Sequence, residues 1–333
     1  MAYRIVLIPG DGIGPEVAAA AKRVVEASGL QFEWDTHLAG QSALDAVGVP
    51  LPPETLAAVK SAEATLKGPT ATPSGTGFRS VNVEMRQKLQ LYANYRPARS
   101  MPGVPTRYED VDLIVVRENT EGLYSGLEHE VVPGVVESLR VVTEAASERI
   151  AQFAFETARD QGRKRVTCVH KANILKLSDG LFLRTCRRVA EQYLDITFDD
   201  CIIDAAAMKL VLNPKSFDVM VMENLFGDIV SDLTAGLVGG LGLAPSANIG
   251  QGVAVFEAVH GTAPDIAGKG LANPTALILS AVLMLRYLGE KEAADRVENA
   301  VRNVFTEGTA RTGDLGGKAS TDEFVEAVIA AMR

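Results

Sequence analysis

The chain has 333 residues, 47% of them hydrophobic and 23% charged, with 33 basic against 42 acidic side chains. A chain of this length buries a proper core as one large or two medium domains, and its net charge of −9 lacks the positive footprint that nucleic-acid binding needs. The most apolar run, residues 276–285, is far short of the roughly 20 residues of a membrane-spanning helix, and the N-terminal MAYRIVLIPGDGIG has no signal-peptide pattern.

Three cysteines (Cys168, Cys186 and Cys201) show no CxxC spacing, which argues against a disulfide framework and a zinc site and suits a reducing, cytoplasmic setting. Residues 4–8 read as a strand, and Val17, Ala20, Val24 and Ala27 recur at helical spacing over 16–27. A second strand is expected at 31–35 and a short helix with prolines at its start at 53–62. Apolar runs at 112–116, 166–169, 196–203 and 219–222 are each followed by a helical pattern, an alternation that implies an α/β fold with a largely parallel sheet. Partial alternation over 135–143 predicts a strand with one solvated or partner-facing side. The proline-rich stretch 101–105 reads as a link, and 245–252 (PSANIGQG) as a loop of turn formers. The block between them reads as an insertion, with the first and last thirds of the chain packing together.

The turn after the first strand, Gly10-Asp11-Gly12-Ile13-Gly14, invites a dinucleotide-binding reading, with Asp35 as the ribose-binding acid. The fingerprint fails because it needs glycine at 15, where Pro15 stands, and because Asp11 would put negative charge in a pyrophosphate loop. A tight strand-to-helix turn is the better reading.

Four other constellations carry chemistry. Asp228 and Asp232 in NLFGDIVSD lie four apart, so on a helix both carboxylates share one face and suit a hard divalent cation. Spacing alone favours two solvated acids on an exposed turn, but the glycine-rich tail that follows is too flexible for a simple exposed helix. Asp204 after CIID is a third candidate oxygen ligand. Arg86, Arg96 and Arg117 suggest bidentate grips on carboxylates, with Ser80 and Asn82 adding hydrogen bonds. Lys171 and Asn173 in VHKAN sit at the mouth of a buried strand, where a desolvated lysine suits proton transfer and a snorkelling surface lysine is an equal reading. Tyr124 in RENTEGLY belongs with them or is simply packed. Residues 260–273 (HGTAPDIAGKGLAN) have the small residues that let a backbone approach a flat ligand, with Asp265 as an acceptor for ribose hydroxyls, though on their own they read as a loop.

Together, GDGIGPE, RENTEGLY, VHKANI, NLFGDIVSD and HGTAPDIAGKGLANP closely resemble the isocitrate/isopropylmalate dehydrogenase family of decarboxylating β-hydroxyacid dehydrogenases, over essentially the whole chain. The resemblance implies a fold that is α/β but not Rossmann: a large domain from both chain ends (1–98 and 252–333, the cofactor side) and a smaller inserted domain (99–251). It further implies a homodimer with shared active sites and a small tricarboxylate as substrate. The family pattern assigns substrate carboxylates to Arg86, Arg96 and Arg117, and the catalytic pair to Tyr124 and Lys171, with Lys171 from the partner. It assigns the metal, Mg²⁺ or Mn²⁺, to Asp228 and Asp232 with Asp204 from the other protomer. The cofactor side falls to His260, Gly261, Thr262, Ala263, Asp265, Ile266 and Asn273, with Asp314 nearby, and Thr72 falls where the family touches substrate or nicotinamide.

Ser80-Val-Asn-Val-Glu-Met-Arg86 matches the isocitrate enzymes of the family rather than those for isopropylmalate or homoisocitrate. Asp265-Ile266 matches NAD-type members, since a carboxylate accepts from a ribose diol and repels a 2′-phosphate. The expectation is an NAD-dependent oxidative decarboxylation of isocitrate. Its rival is a non-catalytic regulatory subunit, which predicts lost catalytic or metal residues, yet Tyr124, Lys171, Asp204, Asp228 and Asp232 are all present.

Overall fold

The computed structural model describes residues 2–333 except Ser74 and Thr76. From the N-terminus the chain forms β1 (Tyr3–Ile8), α1 (Gly14–Glu26), β2 (Phe32–Thr36), α2 (Gln41–Val47), α3 (Pro53–Ser61), β3 (Ala64–Lys67) and α4 (Val81–Lys88). The middle of the chain holds β4 (Ala93–Arg99), β5 (Asp112–Glu118), β6 (Gly122–Val132), β7 (Val135–Val141), α5 (Glu144–Asp160) and β8 (Arg165–His170). It continues through α6 (Ser178–Ala190), β9 (Thr197–Ile202), α7 (Ile203–Leu212), β10 (Val219–Met222) and α8 (Asn224–Leu237). The last third adds β11 (Pro245–Ile249), β12 (Ala254–Ala258), α9 (Thr275–Tyr287), α10 (Lys291–Glu307) and α11 (Thr321–Ala331).

Two compact units result. The first comprises residues 1–89, 100–109 and 238–333, the second residues 90–99 and 110–237. In the first the strands run β2-β1-β3-β12-β11, parallel except for β11 against β12. The apolar run 276–285 is the heart of α9, ten of whose thirteen residues are buried. α9 packs on β11 and β12 and meets α1 and α10.

In the second unit the order is β4-β5-β10-β8-β9, parallel except for β4 against β5. β5, β10 and β8 are almost wholly buried, as continuous apolar runs in a covered parallel sheet should be. β6 and β7 form a separate antiparallel pair, most of it exposed.

The unit boundaries differ from 98/99 and 251/252. β4 pairs with β5 along its whole length, from Ala93 opposite Glu118 to Arg99 opposite Asp112, so it belongs with the middle of the chain. The stretch 245–252 is not a loop throughout. Its first five residues form β11, where Pro245 at the strand start forfeits little of the ladder, and Ser246 Oγ donates to the Glu257 carbonyl at 2.9 Å.

The GDGIG turn is a packing device. Gly10 and Gly12 take φ of +80° and +60°, and a Cβ on either would collide with the carbonyls of Pro69 and Thr262 respectively. Pro15 opens α1. The Asp11 carboxylate accepts the backbone N–H groups of Gln41 (2.9 Å), Ser42 (2.8 Å) and Ala71 (2.7 Å), so it caps α2 from a distance and pins the chain after β3. An acid that would repel pyrophosphate instead satisfies three donors. Asp11→Ala strands them, and the expected loss is about 3 kcal/mol of stability in urea denaturation.

Candidate active site

In the second unit α8 lies over β4 and β5 and turns one face toward them. Asn224, Asp228, Ser231 and Asp232 fall on that face by helical periodicity. Gly227 makes the approach possible: a Cβ there would lie 2.5 Å from the Cβ and Cγ of Arg117. Arg117, only 1% exposed near the end of β5, donates from Nε (3.0 Å) and Nη2 (2.7 Å) to Asn224 Oδ1 and pairs through Nη1 with Asp228. Arg96 lies within β4 and donates to Ser231 Oγ at 2.6 Å and Asp232 Oδ1 at 3.2 Å. Its second nitrogen lies 3.7 Å from Asp228.

Tyr124, in β6, donates its hydroxyl to Asp228 Oδ2 and holds its ring 5.0 Å from the Arg117 guanidinium carbon. Burial, then the hydrogen bond and charge of Asp228, pushes the Tyr124 phenol above its ordinary value, so it keeps its proton at neutral pH. Burial also raises the Asp232 carboxyl, against the pull of Arg96.

A second pair in this unit is Lys171–Asp204. Lys171 follows β8 directly, and its Nζ lies 2.5 Å from Asp204 Oδ1 in the first turn of α7. The hydrogen bond from Lys171 holds the Asp204 carboxyl below its usual range. Asn173 is exposed in the loop beyond. Among the described residues no group of three or more His, Cys, Asp or Glu side chains is gathered to hold a metal ion. Within one chain, therefore, Asp204 does not complete a cation site with Asp228 and Asp232.

The first unit places Arg86 on α4, buried, with Nη2 3.0 Å from Glu257 Oε1. Glu257 also accepts Lys67 Nζ at 2.7 Å and Asn248 Nδ2 at 2.8 Å. Burial would raise this carboxyl, but the charges of Lys67 and Arg86 outweigh it and hold it far below the usual range. Ser80 caps α4, with Thr72 Oγ1 3.3 Å from its hydroxyl, and Asn82 Oδ1 accepts from Thr70 at 3.0 Å.

In the same unit the loop after β12 begins at His260, whose Nδ1 faces the Gly261 carbonyl at 3.0 Å. Burial lowers the His260 pKa, and its Nε2 is a buried atom without a hydrogen-bond partner. Thr262 is tied through its carbonyl to Ile13 N at 2.9 Å, while Ala263 takes a φ of +36° and its carbonyl accepts Ile266 N at 3.1 Å. Asp265 is exposed, and a Cβ added at Gly261, Gly268 or Gly270 would meet only open space. Asn273 donates to Asp314 at 2.9 Å and accepts Thr275 N at 3.0 Å as α9 begins.

Sequence reasoning missed Lys67, Asn248 and Glu257, Asn224 and Ser231 beside the named acids, and Gly227. One signal was available: Glu257 is the lone charge in the strand AVFEA, and a charge inside an apolar strand needs a buried partner.

A family profile described as isocitrate/isopropylmalate dehydrogenase matches residues 4–328. The chain belongs to this family. It is thereby a decarboxylating dehydrogenase with the family's α/β fold, not a Rossmann fold. NAD-dependent isocitrate dehydrogenase catalytic subunit 5 of Arabidopsis thaliana, a mitochondrial protein, is 56% identical over 97% of this chain and 86% of its own length. A mitochondrial regulatory subunit of the NAD-dependent enzyme in Dictyostelium discoideum is 53% identical over 98% of this chain and 91% of its own. The crystal structure of isocitrate dehydrogenase from Methylococcus capsulatus matches with a TM-score of 0.97 at 53% identity, covering 99% of both chains. The mitochondrial relatives overturn the cytoplasmic setting expected from cysteine usage. The three cysteines are buried thiols, shielded from oxidants by the core, so their free state does not name the compartment.

Glu257→Gln removes the carboxylate that separates two buried cations, and the expected cost is about 3 kcal/mol at neutral pH. The folded-state carboxyl titrates below its unfolded value, so its contribution is complete above that value, near 4.3, and is lost as pH falls. Urea unfolding across pH 2–7 checks both points: the variant loses this part of the acid dependence.

Proposed function

We propose that this chain catalyses the oxidative decarboxylation of isocitrate to 2-oxoglutarate and CO₂, using NAD and Mg²⁺ or Mn²⁺, as a homodimer whose chains share their active sites. The observation that carries the reading is the cluster on α8: two arginines, a protonated phenol and two carboxylates held within one unit.

The donor sets fit both groups. Asp228 and Asp232 supply hard oxygens from one helix face, which suits a divalent cation, and Asp204 of a second copy completes the set that one chain lacks. The open loop from His260 to Asn273, with its unpartnered His260 Nε2, suits a flat polar ligand, and Asp265 suits a ribose diol. Thr262, Ala263, Ile266 and Asp314 line or brace that loop. When bound, the cation supplies Lewis acidity toward the substrate hydroxyl and carboxylate, and NAD supplies the hydride acceptor.

The residues of the chain do the rest. Arg96 and Arg117, already matched to carboxylates, exchange those partners for the carboxylates of the substrate, and Arg86 with Ser80, Asn82, Thr72 and Asn173 grips the remainder. Lys171 takes the proton of the substrate hydroxyl during oxidation. Tyr124, kept protonated by burial and Asp228, returns a proton to the carbon that has lost CO₂.

The dimer has physical support in the second unit. Val132, Val136 and Leu139 of the β6–β7 pair and Met208, Leu212 and Ile229 of α7 and α8 are large apolar residues left exposed, surface that a second copy would cover. The regulatory reading draws on the name of the Dictyostelium relative. Against it stand all five catalytic and metal residues of the family pattern. Turnover of isocitrate by the purified chain alone excludes it.

Initial rates on isocitrate, homoisocitrate and 3-isopropylmalate with NAD or NADP, with and without EDTA, test the proposal. The highest kcat/KM is expected for isocitrate with NAD, abolished by EDTA and restored by Mg²⁺ or Mn²⁺. Tyr124→Phe and Lys171→Met should each lower kcat by about 10²-fold or more; near-normal turnover by both removes their roles. Replacing Asp265-Ile266 by Lys-Tyr should move preference toward NADP, and an unchanged NAD/NADP ratio places specificity elsewhere.

A further inference from the structure

Lys171 is the first residue beyond β8, whose pairing with β9 ends at His170, and residues 173–177 of its loop are exposed, so side chains must take over from the sheet in fixing its Cα. Two side chains do so. Asp179 Oδ2 accepts the Lys171 backbone N–H at 2.6 Å, and His170 Nδ1 accepts the next one, from Ala172, at 3.0 Å. The Lys171 carbonyl accepts from Ile174 (3.0 Å) and Leu175 (2.9 Å).

Asp179 is 0% exposed. Its other oxygen, Oδ1, accepts Arg140 Nη1 at 2.7 Å and Ser178 Oγ at 3.3 Å. Arg140, on β7, also pairs with the buried Glu223, just before α8, and stacks its guanidinium carbon 5.1 Å from the Phe226 ring centroid. A fully buried carboxylate is costly, and an apolar residue of similar size would often serve stability as well. The oxygens of Asp179 join three things at once: β7, the start of α8 through Arg140, and the backbone of Lys171.

We propose that Asp179 is a positioning residue for Lys171: its carboxylate, held by Arg140, sets where the lysine leaves the strand and so where Nζ reaches the substrate. The inference rests on Lys171 as the proton acceptor. A base must lie within hydrogen-bond reach of its proton, and displacement by about 1 Å costs on the order of 10²-fold in rate. Only an acid provides both acceptors, because an amide offers one acceptor and one donor and must fail either Lys171 N–H or Arg140.

A double-mutant cycle between Asp179→Asn and Lys171→Ala tests this in the full chain, with kcat and KM for isocitrate measured at saturating NAD and Mg²⁺. Asp179→Asn, nearly isosteric, should lower kcat at least 10-fold with KM changed less than threefold. In the Lys171→Ala background the same substitution should change kcat less than twofold, since no lysine is left to position. Equal losses in both backgrounds, or an unaffected kcat with Lys171 present, overturn the proposal. Near-normal turnover of Lys171→Ala alone overturns the role of the lysine as well, a distinct result. If circular dichroism shows Asp179→Asn unfolded, Asp179→Glu, which keeps both acceptors on a longer arm, takes its place with the same kcat and KM criteria.

Discussion

The contact on which the second unit depends is the meeting of α8 with the arginines of β4 and β5. Arg117 is almost wholly buried, and an isolated charge in that position is prohibitive. It is tolerated because Asn224 and Asp228 receive its nitrogens, and Arg96 is matched in the same way by Ser231 and Asp232. Tyr124 joins through Asp228. The groups suited to a polyanionic substrate and those suited to a cation therefore neutralise one another in the free chain. On the proposed function, binding exchanges partners rather than exposing bare charge. The overall charge of −9 says little about such a site, because it averages over opposite local fields.

The same solution to buried charge recurs elsewhere. One carboxylate serves several donors in Asp11, which receives three backbone N–H groups, in Glu257, set between Lys67 and Arg86, and in Asp179, set between Lys171 and Arg140. Each satisfies donors that would be left stranded in a low-dielectric interior. Each joins segments distant in the chain, so local order is imposed from outside the segment that carries it.

That pattern explains what could be read in advance. The alternation of apolar runs and amphipathic stretches revealed the α/β layout, because burial of parallel strands leaves a strong periodic trace. The motif segments marked the side chains of the cluster on α8, since Asp228 and Asp232 are four apart. β11 was hidden: Pro, Ser, Asn and Gly resemble a loop until Ser246 and Asn248 find partners around Glu257. The placement of β4 was hidden too, because its pairing with β5 spans an intervening excursion of residues 100–109. Lys67, Glu257 and Asp179 carry no local pattern, as their meaning lies in contacts made across the chain.

Gly227 has a further consequence. At the end of its first turn glycine weakens α8 by up to about 1 kcal/mol relative to alanine, and the helix also holds Thr234 and Gly236. Such a segment has little tendency to coil up by itself. It is held against the sheet, with the Arg117 side chain filling the place that a Cβ would take. The placement of Asp228 and Asp232 is tied to that contact: alanine at 227 would be the better helix former and yet would push α8 off Arg117.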